Sequence, residues 1–563
     1  MSFSIKNTLL LLSFCLALPL FAQQPFNWNM TFSHQDSLRG TLSAARSCYD
    51  VKFYDLGVRV DIANKKISGS NTITFQAVRS FSLMQIDLFR NMDLKSITFK
   101  GKKVGFTRDG DAVFVTLPRQ LKGQTGSIVV EYAGSPVEAV NPPWQGGFVW
   151  RKDKNGKPWV GVACEGLGAS SWWPNKDHLS DEPDSMRIKV SVPADLYCVC
   201  NGNLRSRTER QDGYTDFEWF VSYPINNYNL TLNIGDYVRL SDEYFAADSS
   251  KLDLEFYCLP YNLDKAKQQF KQVKPMLKAY EYYFGKYPFW RDGYCLVETS
   301  YLGMEHQGAI AYGNQYKKGY LGRRMPSGMD WDYIIIHETG HEYFGNSLSC
   351  TDHAEMWLHE SFTTYMESLY VEYNFGYEDA LRYLESQLDE IKNVHPMVGP
   401  LQVNFDSWEG SDNYYKGTWV LHTLRSVIDD DALFFRLLRT FYENHYHGFA
   451  TTSDFISLTG KMTGQDFGPF FRQYLYRPEL PKLEYFYEKG NTTKKTILHY
   501  RWRNTVSNFN MPLKVGKPGS FTKIIPSERW QKTTLRNCSP DDFDIPLQLY
   551  LIEKEQVKFK PSY

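Results

Sequence analysis

The stretch His-Glu-Thr-Gly-His at residues 337–341 follows three isoleucines at residues 334–336 and decides how the centre of the chain folds. We predict a helix here. Positions four apart on a helix lie about 40° apart around its axis, so His337 and His341 can face one ion. Glu338 lies beside them, within reach of a water on that ion but too near the axis to be a third ligand. The alternative is a pair of structural histidines.

A third ligand is expected because a catalytic zinc ion typically has three protein ligands and one open position. Eighteen residues separate His341 from Glu360, which lies in the segment Glu-Met-Trp-Leu-His-Glu-Ser-Phe at residues 355–362. Apolar positions on a second predicted helix would turn Glu360 towards the first helix; they are Leu358, Tyr365, Met366 and Leu369. Alone, Glu360 would be a surface carboxylate. With the histidines, it completes a predicted site for one Zn²⁺.

The N-terminal half of the chain alternates apolar and polar residues with period two. Before a predicted turn at residues 64–66, the alternating apolar positions are Leu56, Val58, Val60 and Ile62. Apolar residues resume after the turn, which predicts a hairpin. Further strands are predicted at 128–132, 186–192 and 229–240. We therefore expect a largely antiparallel sheet domain over residues 23–245.

The pattern changes to helical spacing after residue 258. The first helical set is Phe270, Val273, Leu277, Tyr280 and Phe284, with a kink expected at Pro275. Further helices are predicted at 354–372, 420–427, 432–441, 454–458 and 470–474. A proline-rich break at 477–481 reads as a linker, and strands return at 483–487 and 497–502. The prediction is an α+β multidomain chain with a mainly helical domain at 246–476 and a small sheet domain at 477–563.

The N-terminus is typical of a cleaved export signal at residues 1–22. Lys6 precedes an apolar run of about 13 residues, Leu9–Phe21, and Ala22 provides the small residue at the break. An uncleaved anchor is the alternative, but the run is shorter than the roughly 20 residues that span a bilayer. We expect an exported protein, periplasmic or extracellular, with no stable membrane span. Eight of the nine cysteines lie outside the predicted signal. We expect them to be mainly buried small hydrophobic residues, with one or two disulfides permitted.

Composition narrows the function classes. The chain has 563 residues, with 63 Lys+Arg against 64 Asp+Glu, a net charge of −1. This balance argues against a nucleic-acid partner bound through bulk positive charge. Hydrophobic residues at 42% and charged residues at 23% fit a soluble globular protein with sizeable cores.

Two stretches together make the chain recognisable. HETGHEYFGN at 337–346 and WLHESFTTYMES at 357–368 resemble the aminopeptidase N family of zinc metallopeptidases, gluzincins with a thermolysin-like catalytic domain. The family's W-L-N-E-G-F is here W-L-H-E-S-F, so His359 and Ser361 depart from it. The resemblance implies an N-terminal β-sheet domain, a thermolysin-like zinc catalytic domain and a small C-terminal β-sandwich. It also implies a short form without the large C-terminal helical domain, and so a more open cleft or one completed by another subunit.

Two further segments resemble the substrate-binding motifs of that family. Leu-Gly-Met-Glu-His at 302–306 is similar to G-x-M-E-N, in which the Glu holds the free α-ammonium of the substrate. The resemblance assigns that role to Glu305, and assigns binding of the peptide as an added strand to the backbone of Gly303 and Met304. Leu302 and His306 depart from the motif.

Ala-Cys-Glu-Gly at 163–166 is similar to the family's Q-x-E segment. The resemblance makes Glu165 the second amine-binding carboxylate. Ala163 stands where the family has Gln, so one polar contact to the substrate is missing. Without this context, Glu165 would be read as a surface residue.

Tyr-Tyr-Lys-Gly at 414–417 is close to the family's Y-E-K-G, in which the first Tyr stabilises the developing oxyanion. Motif spacing favours Tyr414 over its neighbour Tyr415. Glu355 is a candidate partner for a zinc-bound imidazole, with surface placement as the alternative.

The sequence thus predicts a zinc aminopeptidase acting on peptides with a free N-terminus, with Glu338 as general base and Tyr414 as oxyanion donor. A zinc endopeptidase shares the metal motif, but a buried acidic anchor would reject a peptide segment that lacks a free amine. A non-catalytic scaffold relative is the other alternative. The oligomeric state and the preferred first residue stay open.

Overall fold

The structure is a computed structural model that describes residue 26 and residues 28–323, 325–489 and 495–558. The predicted export signal at residues 1–22 lies outside these residues and stays a prediction. Among the described residues, no helix is long and apolar enough to cross a membrane.

Alternating burial organises the N-terminal part, in which Leu56, Val58 and Val60 point into the core. After the short helix α1 (His34–Gly40), its strands are β1 (Tyr49–Asp61), β2 (Lys66–Ala77), β3 (Phe81–Asp87), β4 (Met92–Phe99), β5 (Lys102–Lys103), β6 (Phe106–Asp109), β7 (Ala112–Gln120), β8 (Thr125–Gly134), β9 (Gly147–Lys152), β10 (Pro158–Ala163), β11 (Ser185–Pro193), β12 (Tyr197–Cys200), β13 (Asn203–Glu209), β14 (Tyr214–Val221) and β15 (Leu232–Gly235).

These strands form three sheets. The largest has the order β13-β14-β11-β1-β2-β8-β4-β5, and the others have the orders β12-β15-β10-β9 and β3-β7-β6. β1 and β2 pair antiparallel across the turn predicted at residues 64–66. The antiparallel β9–β10 hairpin, in which Gly147 pairs with Ala163, matters for the site because the chain reaches Glu165 directly after β10.

The central part begins with a hairpin that joins a mixed sheet of order β16-β17-β18-β20-β19. The strands of that sheet are β16 (Val238–Phe245), β17 (Lys251–Cys258), β18 (Tyr294–Glu298), β19 (Gly303–Met304) and β20 (Ile310–Tyr312). Two further strands, β21 (Leu348–Cys350) and β22 (Gly448–Ala450), pair with each other. The single strand predicted at 229–240 is wrong: a turn after Gly235 separates β15 from β16, and the two strands join different sheets. The predicted boundary at 245–246 lies in the turn of the β16–β17 hairpin and so separates two strands that pair.

Helices pack on this sheet and build most of the central part. They are α2 (Leu263–Gln269), α3 (Val273–Phe284), α4 (Tyr333–Tyr343), α5 (Trp357–Phe375), α6 (Tyr377–Glu385), α7 (Tyr415–Ile428), α8 (Asp431–Asn444), α9 (Thr452–Thr463) and α10 (Gly468–Leu475). The kink predicted at Pro275 is instead a break ahead of it, a 3₁₀ turn at Phe270–Gln272. Pro275 lies in the first turn of α3, where a missing N–H costs no helical hydrogen bond.

The C-terminal part is strand-rich, as predicted. Its strands are β23 (Lys482–Lys489), β24 (Lys495–Arg503), β25 (Leu513–Lys517), β26 (Ser520–Ile524), β27 (Gln531–Arg536) and β28 (Glu553–Gln556). One sheet has the order β27-β24-β23-β28, and β25 pairs with β26. The Tyr474 hydroxyl at the end of α10 donates to the Leu551 carbonyl at 2.8 Å, which ties this part to the helices. The predicted α+β multidomain class is confirmed.

The described cysteines are all buried, and none of them forms a disulfide. The one or two disulfides that the sequence permitted are therefore not found among the described residues. The nearest pair, Cys198 and Cys200 on β12, has its sulfur atoms 3.7 Å apart. These side chains pack as small hydrophobic groups.

Candidate metal and peptide site

Helix α4 carries the two histidines into the interior. The side chain of Asp332 caps the helix by accepting from the backbone N–H groups of Ile334 and Ile335 at 3.0 and 3.3 Å. Every residue of α4 is buried. The Nε2 atoms of His337 and His341 lie 3.2 Å apart, so both imidazoles face one point, the candidate position of a metal ion (the metal point).

Helix α5 adds the third donor to that point. Glu360 Oε2 lies 3.6 Å from His337 Nε2 and 3.3 Å from His341 Nε2. The candidate ligand atoms of the three residues all lie within 4.8 Å of one another. Glu360 Oε2 is buried and has no hydrogen-bond partner. Two imidazole nitrogens and one such carboxylate oxygen are a donor set that suits zinc.

The outer nitrogens of the two imidazoles have partners that fix the rings. His337 Nδ1 donates to Glu367 Oε1 at 2.6 Å, and the Tyr383 hydroxyl donates to the other oxygen of Glu367. His341 Nδ1 donates to the Phe344 carbonyl at 3.0 Å. Both contacts leave Nε2 with its lone pair towards the metal point.

Glu355 does not take the role predicted for it. Its carboxylate accepts from the backbone N–H of Thr452 at 2.9 Å and so helps to cap α9. Glu367, which the sequence reasoning missed, partners His337 instead. Its signal was available: Glu367 follows Glu360 by seven residues, which is two helical turns, so both carboxylates face α4.

Glu338 lies against the edge strand β19. A Cβ atom placed on Gly303 would come within 2.5 Å of Glu338 Oε1, so only glycine permits this approach. Burial raises the pKa of Glu338 to about 8, an effect that the two histidines oppose and that Glu305 and Glu360 reinforce. A carboxylate with a raised pKa is suited to accepting and returning a proton near neutral pH.

Tyr414 reaches the metal point from the N-terminus of α7. Its hydroxyl donates to Glu360 Oε1 at 2.9 Å, and its ring stacks on that of His337 with the ring centroids 5.9 Å apart. Ser361 holds this segment, since its hydroxyl donates to the Asn413 carbonyl at 2.6 Å. A Cβ atom on Gly417 would lie 1.7 Å from the Ser361 hydroxyl. The serine at 361, where the family has glycine, therefore fits here because residue 417 has no side chain.

Two carboxylates from distant parts of the chain share this cavity. The Tyr228 hydroxyl donates to Glu305 Oε1 at 3.0 Å. Candidate ligand atoms of Glu305, Glu338 and His341 lie within 4.8 Å of one another, so Glu305 adjoins the metal point. Burial, and then the charge of Glu305, raises the pKa of the half-buried Glu165 well above its usual range.

Strand β19 provides a backbone edge beside these groups. Gly303 pairs with Tyr312 and Met304 with Ala311, and β19 is the last strand on its side of the sheet. An edge strand has backbone N–H and C=O groups available for an added strand.

A cavity of about 400 Å³ lies between the candidate metal ligands and the edge strand β19. The nine residues predicted from the sequence all line it, and they are Glu165, Gly303, Met304, Glu305, His337, Glu338, His341, Glu360 and Tyr414. The departures at 163 and 359 are buried away from it: Ala163 lies in β10, and His359 Nε2 accepts from the Cys350 N–H at 2.8 Å. His306 is also fully buried, and burial lowers its pKa to about 3.

Two models of protein families match the sequence, and each includes residues that line the cavity. The Peptidase M1 N-terminal domain matches residues 51–228, and the Peptidase family M1 domain matches residues 261–474. Together they cover most of the chain and all nine site residues. The chain belongs to the M1 family of peptidases.

Curated relatives and solved structures agree with this assignment. Aminopeptidase N of Escherichia coli is 24% identical over 52% of this chain and 35% of its own length. Probable aminopeptidase 2 of Sulfurisphaera tokodaii is 21% identical over 78% of this chain and 56% of its own. The chain thus spans about half the length, or less, of these relatives.

Among solved structures, a mutant M1 zinc metallopeptidase of Deinococcus radiodurans bound to a Tyr-Ser-Ala substrate shares the fold. Its TM-score is 0.63 at 23% identity, and the match covers 77% of this chain and 95% of that one. The metallopeptidase from the same organism without the mutation has a TM-score of 0.62 at 22% identity and 94% coverage of its chain.

Proposed function

We propose that the chain is an aminopeptidase that binds one Zn²⁺ and removes the N-terminal residue from peptides with a free amine. The observation that carries the proposal is the placement of Glu165 and Glu305 in the cavity that also holds the metal triad. Two carboxylates are more than water activation needs, and a free α-ammonium is the natural cation for them. The names of the relatives, aminopeptidase N and probable aminopeptidase 2, support the same activity.

His337, His341 and Glu360 would hold the zinc ion, which supplies a Lewis acid and lowers the pKa of a water when bound. Glu338 takes the proton of the attacking water and then gives it to the leaving amine. The Tyr414 hydroxyl donates to Glu360 Oε1 at 2.9 Å without substrate, and this single proton would turn to the substrate oxygen on which negative charge develops. Glu165 and Glu305 hold the ammonium, and the backbone of Gly303 and Met304 aligns the peptide.

The order of these groups limits the cut to the first peptide bond. Glu305 and Glu338 both lie close to His341, so an ammonium held by Glu305 leaves room for only one residue before the reacting carbonyl. An internal segment would place an uncharged amide against two carboxylates, one buried and one half-buried, which is unfavourable. This argues against the endopeptidase alternative.

Zinc content combined with product analysis tests the proposal. The purified full chain is expected to carry one zinc per molecule and to release only the first residue from an unblocked pentapeptide in each step. Glu338→Gln serves as the matched control, because it is expected to keep the zinc and lose the hydrolysis. Zinc binding without any cleavage by the natural chain would favour a scaffold relative, and internal cleavage would favour an endopeptidase.

A further inference from the structure

An exposed tryptophan lies at the rim of the cavity. The chain between β8 and β9 turns sharply, with the Gln145 N–H donating to the Asn141 carbonyl at 2.9 Å and the Val140 N–H donating to the Gln145 carbonyl at 3.0 Å. Trp144 at this tip is 60% exposed, yet with Pro143 it lines the catalytic cavity. A large aromatic side chain exposed at the wall of a binding cavity is a candidate contact for ligand.

The strand register places this tip beside the amine-binding end of the cavity. Gly147 on β9 pairs antiparallel with Ala163 on β10. Beyond that pair, the two chains leave the same end of the ladder, one towards Trp144 and the other towards Glu165. They stay close, since a Cβ atom on Gly146 would lie 2.2 Å from the Ala163 carbonyl oxygen.

Other residues that line the cavity are also largely apolar. Leu302, Tyr333 and Ile334 line the same cavity, and Leu302 directly precedes β19. The cavity volume of about 400 Å³ is within the range of roughly 300–1,000 Å³ found for small-molecule sites. There is room for the ammonium, the first residue and a large side chain.

We propose that Trp144 forms one wall of the subsite for the side chain of the first residue, and that the subsite selects large apolar and aromatic residues. This inference rests on the proposed function, since the ammonium at Glu165 and Glu305 places that side chain near the tip. Apolar contact with Trp144 carries the selection.

The charges in the cavity exclude one rival and define another. An acidic first residue would be attracted by Arg323, which also lines the cavity, but it would meet the more numerous negative charges of Glu165, Glu305 and Glu390 and is disfavoured. A basic first residue is the real competitor, because Glu390 also lines the cavity. The test must therefore include arginine beside leucine, phenylalanine and alanine.

Two measurements on the zinc-loaded full chain test the inference. One is kcat/KM for the aminoacyl-fluorophore substrates of these four residues, and the other is the affinity for the free amino acids by calorimetry. The natural chain is expected to favour phenylalanine and leucine. Trp144→Ala is expected to lower kcat/KM and affinity for both by about tenfold, mainly through KM, with less than about threefold change for alanine. Trp144→Phe should restore most of the preference, and Val140→Ala, at the same tip, should change nothing.

Three results would overturn the inference: an equal loss for all four residues in Trp144→Ala, no loss for any, or a natural preference for arginine that Trp144→Ala leaves intact. Absence of hydrolysis together with selective, Trp144-dependent binding of phenylalanine would count against the proposed function alone. Hydrolysis with no dependence on Trp144 would count against this inference alone.

Discussion

The candidate metal triad and the proposed amine-binding pair lie in one cavity but are built differently. His337, His341 and Glu360 come from two adjacent helices within 24 residues of sequence, whereas Glu165 and Glu305 come from different parts of the chain, one after β10 and one after β19. Burial acts on all of these groups. The difference lies in their partners.

In the triad, the carboxylate of Glu360 faces two imidazoles. Burial opposes ionisation of Glu360, but His341 and His337 outweigh it and hold the pKa of that carboxyl below its usual range. Burial raises the pKa of Glu305, an effect that His341 opposes and Glu360 reinforces, and raises that of Glu165 well above its usual range. Within the described residues, neither Glu165 nor Glu305 forms a salt bridge. Under the proposed function, the ammonium of the peptide supplies the positive charge that this pair lacks.

The largest expected effect comes from breaking the triad. Glu360→Gln replaces the charged donor with a neutral amide, so the chain is expected to lose its zinc and its hydrolysis together. Metal analysis and a rate assay on the same sample check this. Glu355→Gln is the control and should keep both, because this carboxylate lies five residues before Glu360 and accepts from the Thr452 N–H instead of facing the triad. A zinc-replete Glu360→Gln enzyme with full activity would refute the assignment.

Loss of the oxyanion donor should rank next. Tyr414→Phe keeps the ring that stacks on His337 but removes the hydroxyl, so kcat should fall by about 10²–10³ with little change in KM. Steady-state kinetics on one good substrate measure this split. Tyr415→Phe is the matched control and should stay within a few fold of the natural chain; the reverse ranking would move the role to Tyr415.

Breaking the amine-binding pair should leave the metal in place. Glu305→Gln is expected to lower kcat/KM for free-amine substrates by about 10², because one of two charges on the ammonium is lost. Glu165→Gln should cost less, since Glu165 is only half-buried. Zinc content should remain at one per chain in both variants. Loss of zinc in Glu305→Gln would mean that the two halves of the site are not separable.

A smaller effect should come from the carboxylate behind His337. Glu367→Gln is expected to weaken zinc binding by about 10–100-fold, measured by competition with a chelator. Thr363→Val removes a hydroxyl 3.2 Å from His341 Nδ1 and should change the affinity less, because the Phe344 carbonyl remains. Equal effects would show that the two imidazoles are held alike.

The smallest change concerns pH. Glu165 must be ionised to hold the ammonium and Glu338 must be ionised to take the proton, so kcat/KM should be present above their pKa values and be lost as the pH falls through them. Burial raises both pKa values and the charge of Glu305 raises them further, so Glu305→Gln should move the acid limb of the kcat/KM profile to lower pH. A limb that moves upward or stays fixed would show that neither Glu165 nor Glu338 sets it.

The same contrast explains what the sequence could predict. The triad follows from helical geometry, since residues 337 and 341 share a face and Glu360 lies on the next long helix. Glu165 and Glu305 could be assigned only through family resemblance, because nothing local predicts that β10 and β19 end at one cavity. Pairing of distant strands carries no spacing signal.

Other misses have equally specific causes. The strand predicted at 229–240 has suitable alternation, but a turn after Gly235 sends its halves into different sheets. Glu355 was the nearer carboxylate in sequence, whereas Glu367 is the one that two helical turns bring to His337. The contact between Ser361 and Asn413 joins residues 52 apart, and no pattern in either segment indicates it.

The most direct test of the account compares aminoacyl-fluorophore substrates with the same substrates N-acetylated. Glu165 and Glu305 can hold an ammonium but not an acetamide. We expect the zinc-loaded chain to hydrolyse the free forms and to hydrolyse the blocked forms at least about 100-fold more slowly. Equal rates for both would contradict it and assign the chain to the endopeptidases.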